Sequence, residues 1–330
     1  MRKRRMALGC VVFFLLVGLT SFLGAQETAE EEPPQIILER VLIQRGGLLL
    51  QPGQWEIEPA LEYSFYDTRR INVSGFSVLP TLIVGVLETE DVDRNVLDGV
   101  FTTRVGIIKD LQAELRIPYR YVNDDVSTET EGDTDSESGI GDIEGTLFYQ
   151  PLRERGWIPD LIMSLRGKSR TGDDAYGGDV DEIPLGTGHY SLTGTVSAVK
   201  SSDPAALFAS VFYTYNFDRN VELVGTDDFK TEVMPGNSIG YNVGITLAIN
   251  PELAASFGYE QEFPSSTKID PPRPGTSGRK VQGSNFNVAT AFIGITWSLS
   301  RKVTADFSFG IGLTDDAADV QARLAFPIQF

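Results

Sequence analysis

Seven ionisable side chains, Arg116, Arg120, Asp142, Glu144, Arg166, Lys168 and Arg170, sit at even positions in three short alternating segments, in the order basic, acidic, basic. In an extended chain, neighbouring side chains point to opposite faces, so equal parity puts each group of charges on one face. If the segments are adjacent strands, an acidic strand lies between two basic ones and the charges form a cross-strand ladder. Such a ladder does one of two jobs. It braces a narrow interior from within, or it lines a constriction that selects what passes.

Other residues that could do chemistry point nowhere as definite. His189 is the single histidine, and Ser191 shares its parity, on the same interior face as the ladder. A lipase working in a membrane would need that pair facing lipid, so no catalytic residue is assigned and the chain is not read as an enzyme. The glycines at Gly139, Gly141, Gly145, Gly186 and Gly188 precede no helix start, so they read as turns and close strand packing and not as a phosphate cradle. The acidic run Asp124, Asp125, Glu129, Glu131, Asp133, Asp135, Glu137 lacks the spacing and closing glutamate of a calcium loop, and reads as a solvated outer loop. No metal and no cofactor is expected.

The elements that must position the ladder are strands. Trp55, Ile57, Pro59, Leu61, Tyr63 and Phe65 alternate with Glu56, Glu58, Ala60, Glu62, Ser64 and Tyr66, giving one apolar face and one face with three glutamates. The pattern recurs in segments beginning near Phe101, Leu111, Ile143, Leu161, Tyr190, Leu207, Tyr241, Leu253, Ala291, Val303 and Val320. That makes about twelve strands of roughly ten residues, the length that crosses a bilayer at a tilt. Aromatics such as Trp55, Tyr119, Tyr121, Tyr149, Tyr215, Phe217 and Trp297 recur near strand ends, as interfacial girdles do. Short connections near 109–110, 200–205, 250–252 and 300–302 alternate with long polar ones at 123–138, 172–188, 218–238 and 264–283. Short periplasmic turns against long outer loops are the pattern of a transmembrane antiparallel β-barrel of the outer-membrane type. Residues 67–95 become the first outer connection. A strand-like stretch at 78–87 there extends a hairpin above the membrane or, counted as two more spans, makes fourteen.

The ends agree. Arg2, Lys3, Arg4 and Arg5 precede an apolar run at 6–22, then Gly24-Ala25 before Gln26, which reads as a signal peptide over residues 1–25. Cleavage would remove Cys10, the single cysteine, and with it any disulfide or thiolate chemistry. Without the four basic residues of the signal, 24 basic residues face 46 acidic ones, a net −22 that argues against nucleic acid. Residues 26–50 form a periplasmic or lumen-plugging segment, with helical spacing at 36–44, and residues 51–330 the barrel. The last strand alternates to a terminal Phe330, placed as the assembly signal of an outer-membrane barrel stands.

Several motifs carry a family resemblance. Gly46-Gly47-Leu48-Leu49-Leu50-Gln51-Pro52-Gly53 leads into the first strand, and Ser138-Gly139-Ile140-Gly141-Asp142-Ile143 sits between the third and fourth. Thr171-Gly172-Asp173, Leu185-Gly186-Thr187-Gly188, Pro235-Gly236-Asn237-Ser238 and the stretch from Gly312 to Asp319 follow in order. Together they resemble the phenol-degradation meta-pathway family of outer-membrane barrels. Ala318 and Ser169-Arg170 stand where that family often has proline. The resemblance implies an outer-membrane location, contact with outer-membrane lipid, lipopolysaccharide and the barrel-assembly machinery, and passage of small hydrophobic or aromatic compounds. It implies no catalytic residues. Two function classes remain open: a channel or uptake barrel for small solutes, or a structural or surface-interaction barrel with a filled lumen.

Overall fold

The computed structural model describes residues 49–74, 86–127, 132–174, 183–222, 230–270, 279–280 and 286–330. The expected signal peptide, the helix expected at 36–44 and all but the last two residues of the expected 26–50 segment lie outside them.

Alternation becomes wall. The strands are β1 (Trp55–Ser74), β2 (Val86–Ile108), β3 (Leu111–Ser127), β4 (Gly132–Ile140), β5 (Glu144–Leu152), β6 (Asp160–Lys168), β7 (Ser191–Ser202) and β8 (Ala205–Asn216). They continue as β9 (Arg219–Glu222), β10 (Lys230–Met234), β11 (Ser238–Asn250), β12 (Leu253–Pro264), β13 (Lys268–Asp270) and β14 (Arg279–Lys280). The last are β15 (Val288–Ser298), β16 (Thr304–Gly312), β17 (Val320–Ala325) and β18 (Ile328–Gln329). One sheet runs β17-β16-β15-β12-β11-β8-β7-β6-β5-β3-β2-β1-β18, with β4 also on β3, and β1 pairs β17 to close it. Closure leaves no unpaired edge among its staves. The pairing Ala60↔Ala325 to Phe65↔Val320 is completed by Ile57↔Ile328 and by the Phe330 N–H on the Trp55 carbonyl at 2.9 Å.

The barrel has twelve staves. The sheet counts fourteen strands because two staves are broken: β4 and β5 both lie along β3, and β17 and β18 both lie along β1. Twelve spans, and not fourteen, therefore close the wall.

The connections correct the sequence reading. β1 and β2 stay paired out to Ser74↔Val86, the hairpin that was one of the two expectations for 67–95, whereas β3 and β4 stay paired out to Ser127↔Gly132, so most of 123–138 is hairpin and not loop. Above the membrane both faces of a strand are wet, so alternation fades while the backbone ladder persists. Arg94 pairs with Asp124 at 2.6 Å there, so part of the acidic run is an ion pair on a strand. The loops expected at 218–238 and 264–283 contribute a second sheet, β14-β13-β10-β9. The short turns stand as expected. Asp110 at the first has φ 66°, a conformation aspartate tolerates.

Burial runs inside out. Leu61, Phe101, Leu115, Leu147, Leu165, Val211 and Ile293 stand exposed on the outer face, while Glu56, Glu58, Thr102, Gln112, Thr246 and Thr296 are buried on the inner one. A soluble fold would bury the first set, because that is where its stability comes from. Here lipid does so.

Candidate lumen site

A cavity of about 410 Å³ lies in the outer half of the lumen, and Arg116, Arg120, Asp142, Glu144, Arg166 and Lys168 all line it. The strands bring them together in register: Arg116 stands across from Glu144 on β3 and β5, and Glu144 across from Lys168 on β5 and β6. Glu144 lies between two arginines, 3.9 Å from Arg116 and 3.6 Å from Arg166, and Asp142 lies 3.7 Å from Lys168. The strongest bonds go elsewhere. Arg116 donates to Glu62 at 2.6 Å, and Arg120 clamps Asp98 through two bonds of 2.8 Å. Arg120 therefore does not face Asp142; Gly139 stands across from it, because the wall breaks between β4 and β5 at 141–143. Arg166 is nearly half exposed to the cavity.

Toward the periplasmic side, β1, β2, β3, β16 and β17 carry a denser network. Arg104 donates to Glu56 at 2.5 Å, Glu58 at 2.9 Å and Glu114 at 2.6 Å. Arg323 bonds Glu58, lies 3.2 Å from Glu62 and 3.6 Å from Asp306. The carboxylates of Glu56 and Glu58 are buried, with side-chain exposures of 0% and 2%. Buried charges are tolerable only when paired in this way. The three glutamates of the first strand were visible in sequence; Arg104 and Arg323 fall on the polar faces of their strands by parity but were not singled out as site residues. The signal left unused was charge: each is an arginine on a lumen face beside the three glutamates of the first strand.

The opposite arc is built differently. On β8, β11, β12 and β15 the inward positions include Phe208, Phe212 and Phe292, each paired with an inward glycine on the next strand. Phe212 stands across from Gly240, Phe208 from Gly244 and Phe292 from Gly258. A methyl group on any of these glycines would meet the ring at 2.1–2.3 Å, so the phenyl lies flat over the bare backbone. Ala206, Ala248 and Ala254 continue the small apolar surface. This arc was also missed; inward phenylalanine opposite inward glycine was its signal.

At the periplasmic rim the chain enters across the lumen face of β2. Gly53 donates to the Gly106 carbonyl at 2.8 Å and Gly106 to the Gln54 carbonyl at 3.0 Å. A side chain at Gly106 would strike the Gln51 carbonyl at 2.1 Å. Leu49 and Leu50 are buried, and the Leu50 N–H is donated to Gln112 at 2.9 Å. His189 and Ser191 line the outer cavity as their parity indicated, with His189 Nδ1 2.9 Å from the Thr187 carbonyl oxygen.

A closed antiparallel barrel with an apolar exterior and a charged lumen is an outer-membrane β-barrel, and the bacterial outer membrane is where this fold resides. Residues 84–330 match the family described as "Putative MetA-pathway of phenol degradation", and the chain belongs to that family. The structure is similar to that of the COG4313 outer membrane channel from Pseudomonas putida F1, with TM-score 0.57 at 15% identity over 86% of this chain and 97% of that one. The Ralstonia pickettii toluene transporter TbuX matches at TM-score 0.40 and 10% identity, covering 85% of this chain and 90% of its own. The translocator domain of the autotransporter NalP from Neisseria meningitidis matches at TM-score 0.41 and 7% identity, covering 90% and 95%. The first likeness carries the fold; the other two add nothing to it.

Proposed function

We propose that the lumen is a passage for small solutes, with hydrophobic and aromatic compounds the class it takes. The observation that carries this reading is the cavity of about 410 Å³ inside a closed barrel, lined by the six charges of the ladder and by Glu262. The phenylalanine–glycine arc beside the network offers an apolar wall to an aromatic solute, and the family's description in terms of phenol degradation agrees with it. Arg116, Arg120, Asp142, Glu144, Arg166 and Lys168 line the constriction and act without catalysis. Purified barrel in liposomes should admit small phenols and sugars faster than protein-free controls, with the phenols favoured. Liposomes that stay impermeable to both return the barrel to a structural role.

Three further roles belong to this reading. Residues 1–25 direct export, and the 26–50 segment serves as a periplasmic or plug segment whose last residue, Leu50, is bonded to Gln112. Outward aromatics such as Trp55, Tyr119 and Trp297 contact lipid and lipopolysaccharide. Phe330 presents an exposed ring at the end of the closing stave and serves the assembly machinery. Deleting Phe330 should leave unassembled protein open to periplasmic protease; an unchanged yield of heat-modifiable barrel would remove that role.

A further inference from the structure

We propose that Asp142 is a positioning residue that holds the two arms of the β6–β7 connection, residues 169–174 and 183–190, against the lumen wall and thereby sets the width of the outer mouth. The proposal rests on the channel reading and gives it a size filter. Asp142 stands in the break between β4 and β5, where the wall makes no ladder of its own and its side chain, only 7% exposed, turns inward.

Its two oxygens are used by the connection. Oδ1 accepts the Gly172 N–H at 3.2 Å, and Oδ2 accepts the Thr187 N–H at 2.8 Å and the Thr187 hydroxyl at 2.7 Å. Gly172 belongs to the arm leaving β6 and Thr187 to the arm entering β7, so one carboxylate ties both arms to the wall. The arms also bind each other: the Leu185 and Gly186 N–H groups both donate to the Asp173 carbonyl, at 2.9 and 2.8 Å. Gly172 and Gly186 lie back to back, and a methyl group on either would meet the other's backbone at 2.8–2.9 Å.

Behind this knot Leu185 is fully buried against Val122 of β3 and Ile183. Gly139 leaves the space it occupies, since a methyl group there would meet Leu185 Cδ1 at 2.8 Å. Arg120 adds a bond to the Leu185 carbonyl at 3.3 Å. A segment pinned to the inner face of β3 and β4 takes volume from the cavity that β3 lines.

The chemistry requires a carboxylate. Three donors converge on Asp142, and a carboxylate is acceptor-only, whereas an asparagine would turn an NH₂ toward one of them. Bonds from neutral donors to an ionised acceptor are also the stronger kind. Glu144, two residues on, faces the same cavity, lies near Arg116 and Arg166, and has no bond to either arm among the described residues. It is the natural control.

Val122 reports the latch, because Leu185 covers it and it is 2% exposed. In full-length barrel carrying Cys10→Ser and Val122→Cys, a membrane-impermeant maleimide is added and labelling is followed. Asp142→Asn should speed labelling about tenfold, which corresponds to about 1.4 kcal/mol of latch free energy. It should also raise single-channel conductance and admit larger sugars into liposomes. Glu144→Gln should leave labelling as it was. Thr187→Val removes only the hydroxyl and should move labelling the same way by less, so it decides the question if Asp142→Asn gives no heat-modifiable barrel. Unchanged labelling in both latch variants overturns the proposal, and a shifted reversal potential in that case makes Asp142 a selectivity charge. Faster labelling in a barrel that never conducts keeps the latch and removes the channel reading.

Discussion

Two arcs of the same lumen solve the same problem in opposite ways. The arc of β1, β2, β3, β16 and β17 fills its interior with paired charge, Arg104 and Arg323 each serving several carboxylates. The arc of β8, β11, β12 and β15 leaves glycine backbone bare and lays phenyl rings across it. A barrel wall needs something on its inner face, because an empty lumen forfeits contacts on one side. Charge does this by locking strands together, and the result is rigid and occupied. On the other arc the rings occupy the space that side chains on Gly240, Gly244 and Gly258 would need. The difference teaches that one closed wall can be filled from within by paired charge or by rings laid against bare backbone.

The largest effect should come from the charged arc. Arg104→Met leaves Glu56, Glu58 and Glu114 crowded without their common partner, a loss of about 3–5 kcal/mol. Thermal unfolding followed by heat-modifiability at neutral pH should show it. Lowering the pH protonates the stranded carboxylates and should return part of the stability. A variant as stable as the parent would mean that the network is ornamental.

Next comes the distinction between the inner and outer faces. On β6, Leu165 faces lipid and Ser164 the lumen. Leu165→Arg should cost about 2–4 kcal/mol and Ser164→Arg much less. Refolding yields in lipid vesicles compare the two, and a reversed order would invert the faces.

The smallest effect sharpens the other arc. Gly258→Ala places a methyl group 2.1 Å from the Phe292 ring, with only ring atoms in its way. Overpacking of this kind costs about 1–3 kcal/mol. Phe292→Leu in the same chain should recover much of that cost if the ring and the bare glycine are one unit. Additive losses in the double variant would separate them.

Much of this was legible in the sequence, for a physical reason. A lipid-facing wall must alternate, so Trp55 to Phe65 and their eleven counterparts announce themselves one strand at a time. Parity then places Arg116, Asp142 and Arg166 inside without a structure. Which inward charge meets which was not legible, because that depends on stagger and on breaks in the wall. Arg120 reaches Asp98 on one side, and the break at 141–143 releases Asp142 to the β6–β7 connection. The hairpin of β3 and β4 was misread as a loop for a related reason: once both faces are wet, hydropathy no longer reports pairing, although Ser127 still stands across from Gly132.

The proposal that a solute in the lumen meets the phenylalanine–glycine arc as an apolar wall is tested most directly by two matched thiols. Ser210 lies inward on β8, where it bonds Asn242, and Thr102 lies inward on β2, where it is 3% exposed. Ser210→Cys and Thr102→Cys barrels, each with Cys10→Ser, are reconstituted in planar bilayers, and a small cationic methanethiosulfonate is added while current is recorded. The account predicts a rapid stepwise fall in current for Ser210→Cys and none for Thr102→Cys. Equal block at both positions, or block at Thr102→Cys alone, would contradict it.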